Sequence, residues 1–205
     1  MTALLHARDL TLFRGEHCLF HNLSFALPAG AALHVLGPNG SGKTSLLRAL
    51  AGLLDLESGV IEWRGQAIER QRQAYHGELS WYAHRVGFKG DLSVDENLAV
   101  ERGLRVFDAK RTGDVLSRLG IDEGRRRLPF RALSAGQQRR VGLARTLLSP
   151  APCWLMDEPF TNLDKEGQSL VIELITEHLG RGGLCVFASH QDVALTVDTQ
   201  RIELS

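Results

Sequence analysis

The residues with the most chemical potential in this chain form one run, Gly37-Pro38-Asn39-Gly40-Ser41-Gly42-Lys43-Thr44. Its pattern, G-x-x-x-x-G-K-T, suits a polyphosphate. Such a ligand carries several negative charges and many acceptor oxygens. Backbone N–H groups must wrap around it, and glycine permits both the tight turn and the close approach. Lys43 offers a point charge to the β and γ phosphates. The Thr44 hydroxyl suits Mg²⁺, a cation that prefers oxygen ligands. The flanks argue against a chance glycine-rich turn. Ala31-Ala32-Leu33-His34-Val35-Leu36 is an apolar run of strand length, and Leu46, Leu47, Leu50, Leu53 and Leu54 recur at helical spacing after the loop. Strand, loop and helix together bring a phosphate to free N–H donors and a favourable dipole.

A second group lies downstream. Cys153-Trp154-Leu155-Met156-Asp157-Glu158-Pro159 reads as a buried strand ending in two carboxylates. Parallel strands deliver functional groups at their C-terminal edge. Two adjacent acids there are costly unless a cation or substrate uses them. Asp157 fits the Mg²⁺ partner of Thr44, and Glu158 fits a group that polarises an attacking water. The structural alternative is a strand end with solvated acids. Leu184-Cys185-Val186-Phe187-Ala188-Ser189 is a further apolar strand, and His190 follows it at the same predicted edge. A lone histidine is commonly structural, but this position favours a functional one. Ser134 and Gln137 have the spacing of a helix capping box, which by itself explains them.

Composition sets the frame. The chain has 205 residues, 43% hydrophobic and 23% charged, enough for one globular domain with a small inserted lobe. The formal net charge is zero, which gives no reason to expect nucleic acid or anionic lipid as a partner. No apolar run reaches the roughly 18 residues of a transmembrane helix, and the N-terminus lacks the pattern of a signal peptide, so a cytoplasmic location is expected. Cys18, Cys153 and Cys185 are far apart without a C-x-x-C, which disfavours a disulfide framework or a metal site.

The elements that must position these groups can be read in order. Residues 4–13 and 18–27 read as an antiparallel β pair leading into the strand before the phosphate loop. Phe13, in the first of them, either stacks on a base or faces the core. Residues 58–65 and 78–83 read as short strands. From about 92 to 128, Val94, Leu98, Leu104, Val106, Val115, Leu116 and Leu119 fall at helical spacings among charges. Arg125-Arg126-Arg127 near its end reads as a solvated face. Val141, Ala144, Leu147 and Leu148 mark one face of a helix ended by Pro150, and residues 165–179 form an amphipathic helix.

With these residues in place, the chain resembles the nucleotide-binding subunits of ABC transporters over essentially its whole length. Gly37 to Thr44 is similar to their Walker A motif, Leu133 to Gln137 to their signature, and Cys153 to Glu158 to their Walker B with catalytic Glu. Asn162 to Asp164 is similar to their D-loop, and His190 to their switch His. The resemblance implies an α/β fold: a mainly parallel core sheet with an N-terminal antiparallel β lobe, about 1–90 and 133–205, and an inserted helical lobe, about 90–132. It implies binding and hydrolysis of ATP with Mg²⁺ by a head-to-tail dimer. Each ATP then lies between one phosphate loop and the partner's signature, which gives Ser134, Gly136 and Gln137 a second role, while His190 senses the γ-phosphate.

A closer likeness is to the CcmA family, ATPases of bacterial cytochrome c maturation. It rests on Leu79 to Leu92, Leu133 to Ala144, Asp157 to Asp164, and Gly182-Gly183. That resemblance implies membrane subunits similar to CcmB, CcmC and CcmD, coupling to the haem chaperone CcmE, and a place on the cytoplasmic face of the inner membrane. It implies haem export or release of the loaded chaperone. An ABC transporter for another small molecule would share every motif. A soluble ABC protein of DNA repair or translation would carry long coiled-coil insertions or a second ATPase domain. One position departs from the family. ABC ATPases place a Gln in the loop after the strand near Tyr82, and here Arg85 matches it. Arg has donors only and ligates no cation. Arg85 is therefore expected to contact a phosphate or to face the membrane partner, the structural alternative being a plain loop arginine.

Overall fold

The computed structural model describes residues 3–195, 197 and 199–205. The strands are β1 (Ala3–Arg14), β2 (His17–Pro28), β3 (Ala32–Leu36), β4 (Ser58–Trp63), β5 (Gln66–Ala67), β6 (Leu79–Tyr82), β7 (Cys153–Asp157), β8 (Leu184–Ser189) and β9 (Thr199–Glu203). The α-helices are α1 (Lys43–Leu50), α2 (Arg72–Gly77), α3 (Val94–Leu104), α4 (Thr112–Arg118), α5 (Glu123–Arg126), α6 (Ala135–Leu148) and α7 (Lys165–Gly180). Two sheets organise them. One is antiparallel, in the order β2-β1-β4-β5, and the other is parallel, in the order β6-β7-β8-β3-β9. The α/β class and its two-sheet arrangement match the expectation from sequence.

The parallel sheet has covered faces because its central strands are apolar throughout. Every residue of β7 and β8 is buried. Side chains alternate between the two faces. Leu184, Val186 and Ala188 join a core formed with α1 and the antiparallel sheet, while Cys185 and Phe187 join a second core formed with α6 and α7. The antiparallel pair β1–β2 supplies Leu5, Ala7, Leu10 and Leu27 to the first core, all fully buried. The helices between β6 and α6 bury Val94, Leu98, Val115, Leu116 and Leu119 in the second.

Several sequence expectations end differently. Leu53 and Leu54 are exposed, because α1 stops at Leu50 and a turn follows. Leu104 and Val106 are exposed as well, since α3 ends at Leu104 and the chain leaves the helical face there. Of the arginine run, Arg126 is not simply solvated but pairs with Asp95 on α3 at 3.0 Å. The edge strand β9 carries little apolar pattern, so the sequence does not announce it. It pairs with β3 from Ala32↔Thr199 to Leu36↔Glu203.

Parallel register decides where functional groups emerge. Tyr82 lies beside Met156, Asp157 beside Ala188, and Leu36 beside Ser189. The loops after β6, β3, β7 and β8 therefore leave the same sheet edge.

Candidate nucleotide site

The loop after β3 is built around backbone that only glycine tolerates. Gly37 has φ 149°, and a Cβ there would stand 2.3 Å from the Leu204 carbonyl oxygen. Gly42 has φ 98°, and a Cβ there would press on Leu19 at 3.1 Å. Gly42 also caps α1 without a side-chain hydrogen bond. The first-turn N–H groups of α1 thus remain available to an anion. The Lys43 ammonium donates to the carbonyls of Gly37 and Pro38 at 2.7 and 2.9 Å. These bonds hold a buried charge over the loop that needs it.

The sheet edge closes the site from the other side. The Thr44 hydroxyl donates to both oxygens of Asp157, at 3.1 and 2.9 Å. Burial holds the Asp157 carboxyl above its usual range, with the Thr44 hydrogen bond opposing that shift. Glu158 follows in the left-handed region, at φ 51°. Its Oε2 accepts from Thr161 Oγ1 at 3.2 Å and from His190 Nδ1 at 2.9 Å. A carboxylate only accepts, so Nδ1 carries the hydrogen. The other oxygen, Oε1, is buried with no hydrogen-bond partner, and it lies 3.8 Å from Lys43 Nζ.

These groups border one cavity of about 620 Å³. Asn39, Gly40, Gly42, Lys43 and Thr44 line it, opposite Asp157, Glu158 and His190. Gly37, Pro38 and Ser41 shape the loop behind that lining. Phe13 is exposed on β1 and stands at the cavity with Leu12 and Arg14, so the core-facing alternative for it does not hold. Arg85 is exposed and lines no part of the cavity, whereas its neighbour His84 does. No motif in the sequence singles out His84. A histidine beside the expected glutamine position was the available signal.

The donor set fits Mg-nucleotide. Hydroxyl and carboxylate oxygens meet at Thr44 and Asp157, and the buried Glu158 Oε1 and Ser41 Oγ lack partners. Among the described residues no group of three or more His, Cys, Asp or Glu could hold a metal ion unaided. Mg²⁺ commonly takes few protein ligands and completes its shell with phosphate oxygens and water.

Ser134, Gly136 and Gln137 lie elsewhere. Ser134 caps α6, its Oγ accepting from Gln137 N at 3.2 Å while Gln137 Oε1 accepts from Ser134 N at 3.0 Å. All three line a separate cavity of about 430 Å³ with Arg140, Asn162 and Asp164. The structure does not bring them to the cavity that Lys43 lines. Sequence reading also passed over Arg139, a buried residue that touches both loops of the first site.

Comparison with known proteins agrees with this geometry. The ABC transporter family model matches residues 20–161. The cytochrome c biogenesis ATP-binding export protein CcmA of Methylococcus capsulatus is 43% identical over 205 residues, covering 99% of each chain. CcmA of Nitrosococcus oceani is 46% identical over 191 residues, covering 92% of this chain and 87% of that one. CcmA of Yersinia pestis is 43% identical over 93% of this chain and 87% of its own. An ABC transporter ATP-binding protein from Pyrococcus furiosus superposes with a TM-score of 0.84 at 24% identity, covering 98% and 96% of the two chains, which speaks to fold alone. With the P-loop, the paired acids and the family match in agreement, the chain belongs to the ABC transporter family of ATP-hydrolysing subunits, in the CcmA group.

Proposed function

We propose that this chain is the ATPase of a cytochrome c biogenesis complex. It sits on the cytoplasmic face of the inner membrane, bound to subunits similar to CcmB, CcmC and CcmD. Its turnover drives haem export or the release of haem-loaded CcmE. The likeness to CcmA proteins across 99% of both chains supports this assignment. The chain is read as a single ABC ATPase domain, its core from about 1–90 and 133–205 and its helical lobe from about 90–132.

The observation that carries the chemistry is the environment of Glu158. One carboxylate oxygen is held by His190 and Thr161, and the other is buried without a partner near Lys43. A base needs an acceptor not already engaged by a hydrogen bond, and this oxygen has no such partner. Lys43 and the N–H groups of α1 hold the phosphates. Thr44 and Asp157 hold Mg²⁺, which supplies charge stabilisation at the transferring phosphoryl group. Glu158 Oε1 orients and deprotonates the attacking water. His190 fixes Glu158 through Oε2 and senses the γ-phosphate. Phe13 borders the cavity at the position of a base-stacking aromatic. Ser134, Gly136 and Gln137, on their separate surface, meet the ATP of a second copy.

Glu158→Gln is expected to bind ATP, hydrolyse it at least about 100-fold more slowly and accumulate as a closed dimer. Gel filtration with ATP and a phosphate-release assay check this, and normal turnover removes Glu158 from the role. In cells, Lys43→Ala is expected to accumulate haem-loaded chaperone while mature cytochrome c disappears. Normal cytochrome c in that strain would point to a transporter of another small molecule.

A further inference from the structure

Arg139 is a charged residue only 5% exposed, in the second turn of α6. Its acceptors are backbone carbonyls rather than carboxylates. Nη1 donates to the His84 oxygen at 2.5 Å and to the Ala83 oxygen at 3.4 Å. Nη2 donates to the Glu158 oxygen at 2.5 Å, and Nε to the Thr161 oxygen at 3.3 Å. The guanidinium also lies 5.3 Å from the centre of the Tyr82 ring, whose hydroxyl donates to the Arg139 carbonyl at 3.2 Å. One side chain therefore joins three segments: the loop after β6, the turn after β7, and the helix capped by Ser134.

Each tie falls where the site needs it. Glu158 sits in the left-handed region, a conformation that a non-glycine residue keeps only when its surroundings enforce it. Its N–H is bound to the Ala188 carbonyl at 3.0 Å, and its own carbonyl is bound by Arg139. The two bonds fix the peptide planes on both sides of the residue, and so the direction of the carboxylate. Thr161, which donates to that carboxylate, has its carbonyl on the same guanidinium. His84 lines the nucleotide cavity, and its carbonyl is held by Nη1. A second arginine of α6, Arg145, donates to the Val86 carbonyl at 3.0 Å, so the same loop is tied to the helix twice. The planar guanidinium presents five donors in a fixed fork. That fork lets one side chain bind carbonyls of two separate loops at once.

We infer that Arg139 is a positioning residue for ATP hydrolysis: it aims Glu158 and His84 from the signature helix, so that the catalytic geometry follows the position of α6. The inference rests on the proposed ATPase site. Positional errors near 1 Å at reacting groups can cost about 100-fold in rate. Loss of Arg139 is therefore expected to act on kcat and to spare nucleotide binding, since its partners are not the phosphate loop.

The test compares Arg139→Met, Arg139→Lys and Glu158→Gln in the assembled membrane complex, with kcat, KM for ATP and the melting temperature measured for each. Arg139→Met is expected to lower kcat roughly 10- to 100-fold with KM within about threefold. Arg139→Lys keeps the charge and some donors, and should recover part of that loss while staying at least about threefold below the parent. A kcat within twofold of the parent for both variants overturns the inference. So does a parallel fall of kcat, KM quality and melting temperature that lysine does not relieve, which would mark a structural residue. If Arg139→Met does not fold, the lysine variant decides: reduced kcat at unchanged KM supports the role, and parental kcat overturns it. Glu158→Gln separates the two levels. If it retains turnover, the ATPase-site reading fails. If it is silent while Arg139 variants turn over normally, the Arg139 inference alone fails.

Discussion

Asp157 makes the nucleotide-free protein less stable than it could be. Its carboxyl is buried, and burial raises its pKa above the usual value of 3.8. The folded state then holds the proton more tightly than the unfolded chain does. This residue's contribution to stability is greatest at low pH and declines as pH rises from 3.8 through the raised value. Above the raised value the penalty stays until a cation offsets it. Asp157→Asn keeps an acceptor for Thr44 and removes the charge. It is expected to raise the nucleotide-free stability by about 1 kcal/mol while abolishing Mg²⁺-dependent hydrolysis. Thermal melts at pH 7 without nucleotide check this, and a lower melting temperature for the variant would contradict it. Residues of this kind were legible in sequence because charge and apolar context are local. Asp157 and Glu158 end an unbroken apolar strand. Arg139 was not legible, since the carbonyls it binds stand 19 to 56 positions away.

Helix caps show how an element serves both stability and function. Ser93 caps α3 and Ser134 caps α6, each in a capping box with the residue three positions on. Replacing either with alanine removes one hydrogen bond to an otherwise free N–H and is expected to cost about 1 kcal/mol. Only Ser134 shares a cavity with Gly136 and Asn162. Ser93→Ala should therefore lower stability and leave ATPase activity unchanged, while Ser134→Ala lowers both. Denaturant titrations with parallel ATPase assays distinguish them, and equal activities would leave Ser134 as a cap alone. The sequence predicted the elements where their pattern is strong, as in β7, β8 and α7. It overran α1 and α3, because Leu53, Leu54, Leu104 and Val106 keep the apolar character of the helix without its burial. It missed β9, whose pairing with β3 depends on a neighbour 167 positions away at Ala32↔Thr199.

On the scale of the molecule, the phosphate loop and the signature serine line different cavities. One chain therefore does not cover its own phosphates with its own signature. On the reading proposed above, a second copy in head-to-tail arrangement would complete each site. Mixing Lys43→Ala with Ser134→Arg protomers tests this. Each is expected to be inactive alone, whereas mixed dimers hold one site free of both changes and should regain hydrolysis. No recovery from two folded variants would argue against shared sites. The sequence by itself determined the fold class, the phosphate loop, the paired acids and the family, because each is written in contiguous residues whose chemistry is independent of distant contacts. Only the tertiary structure decided which groups meet. The parallel register brings Lys43, Asp157, Glu158, His84 and His190 to one sheet edge. The packing of α6 then places the Arg139 guanidinium among carbonyls of two separate loops. Those contacts depend on strand order and helix position, which no local pattern encodes.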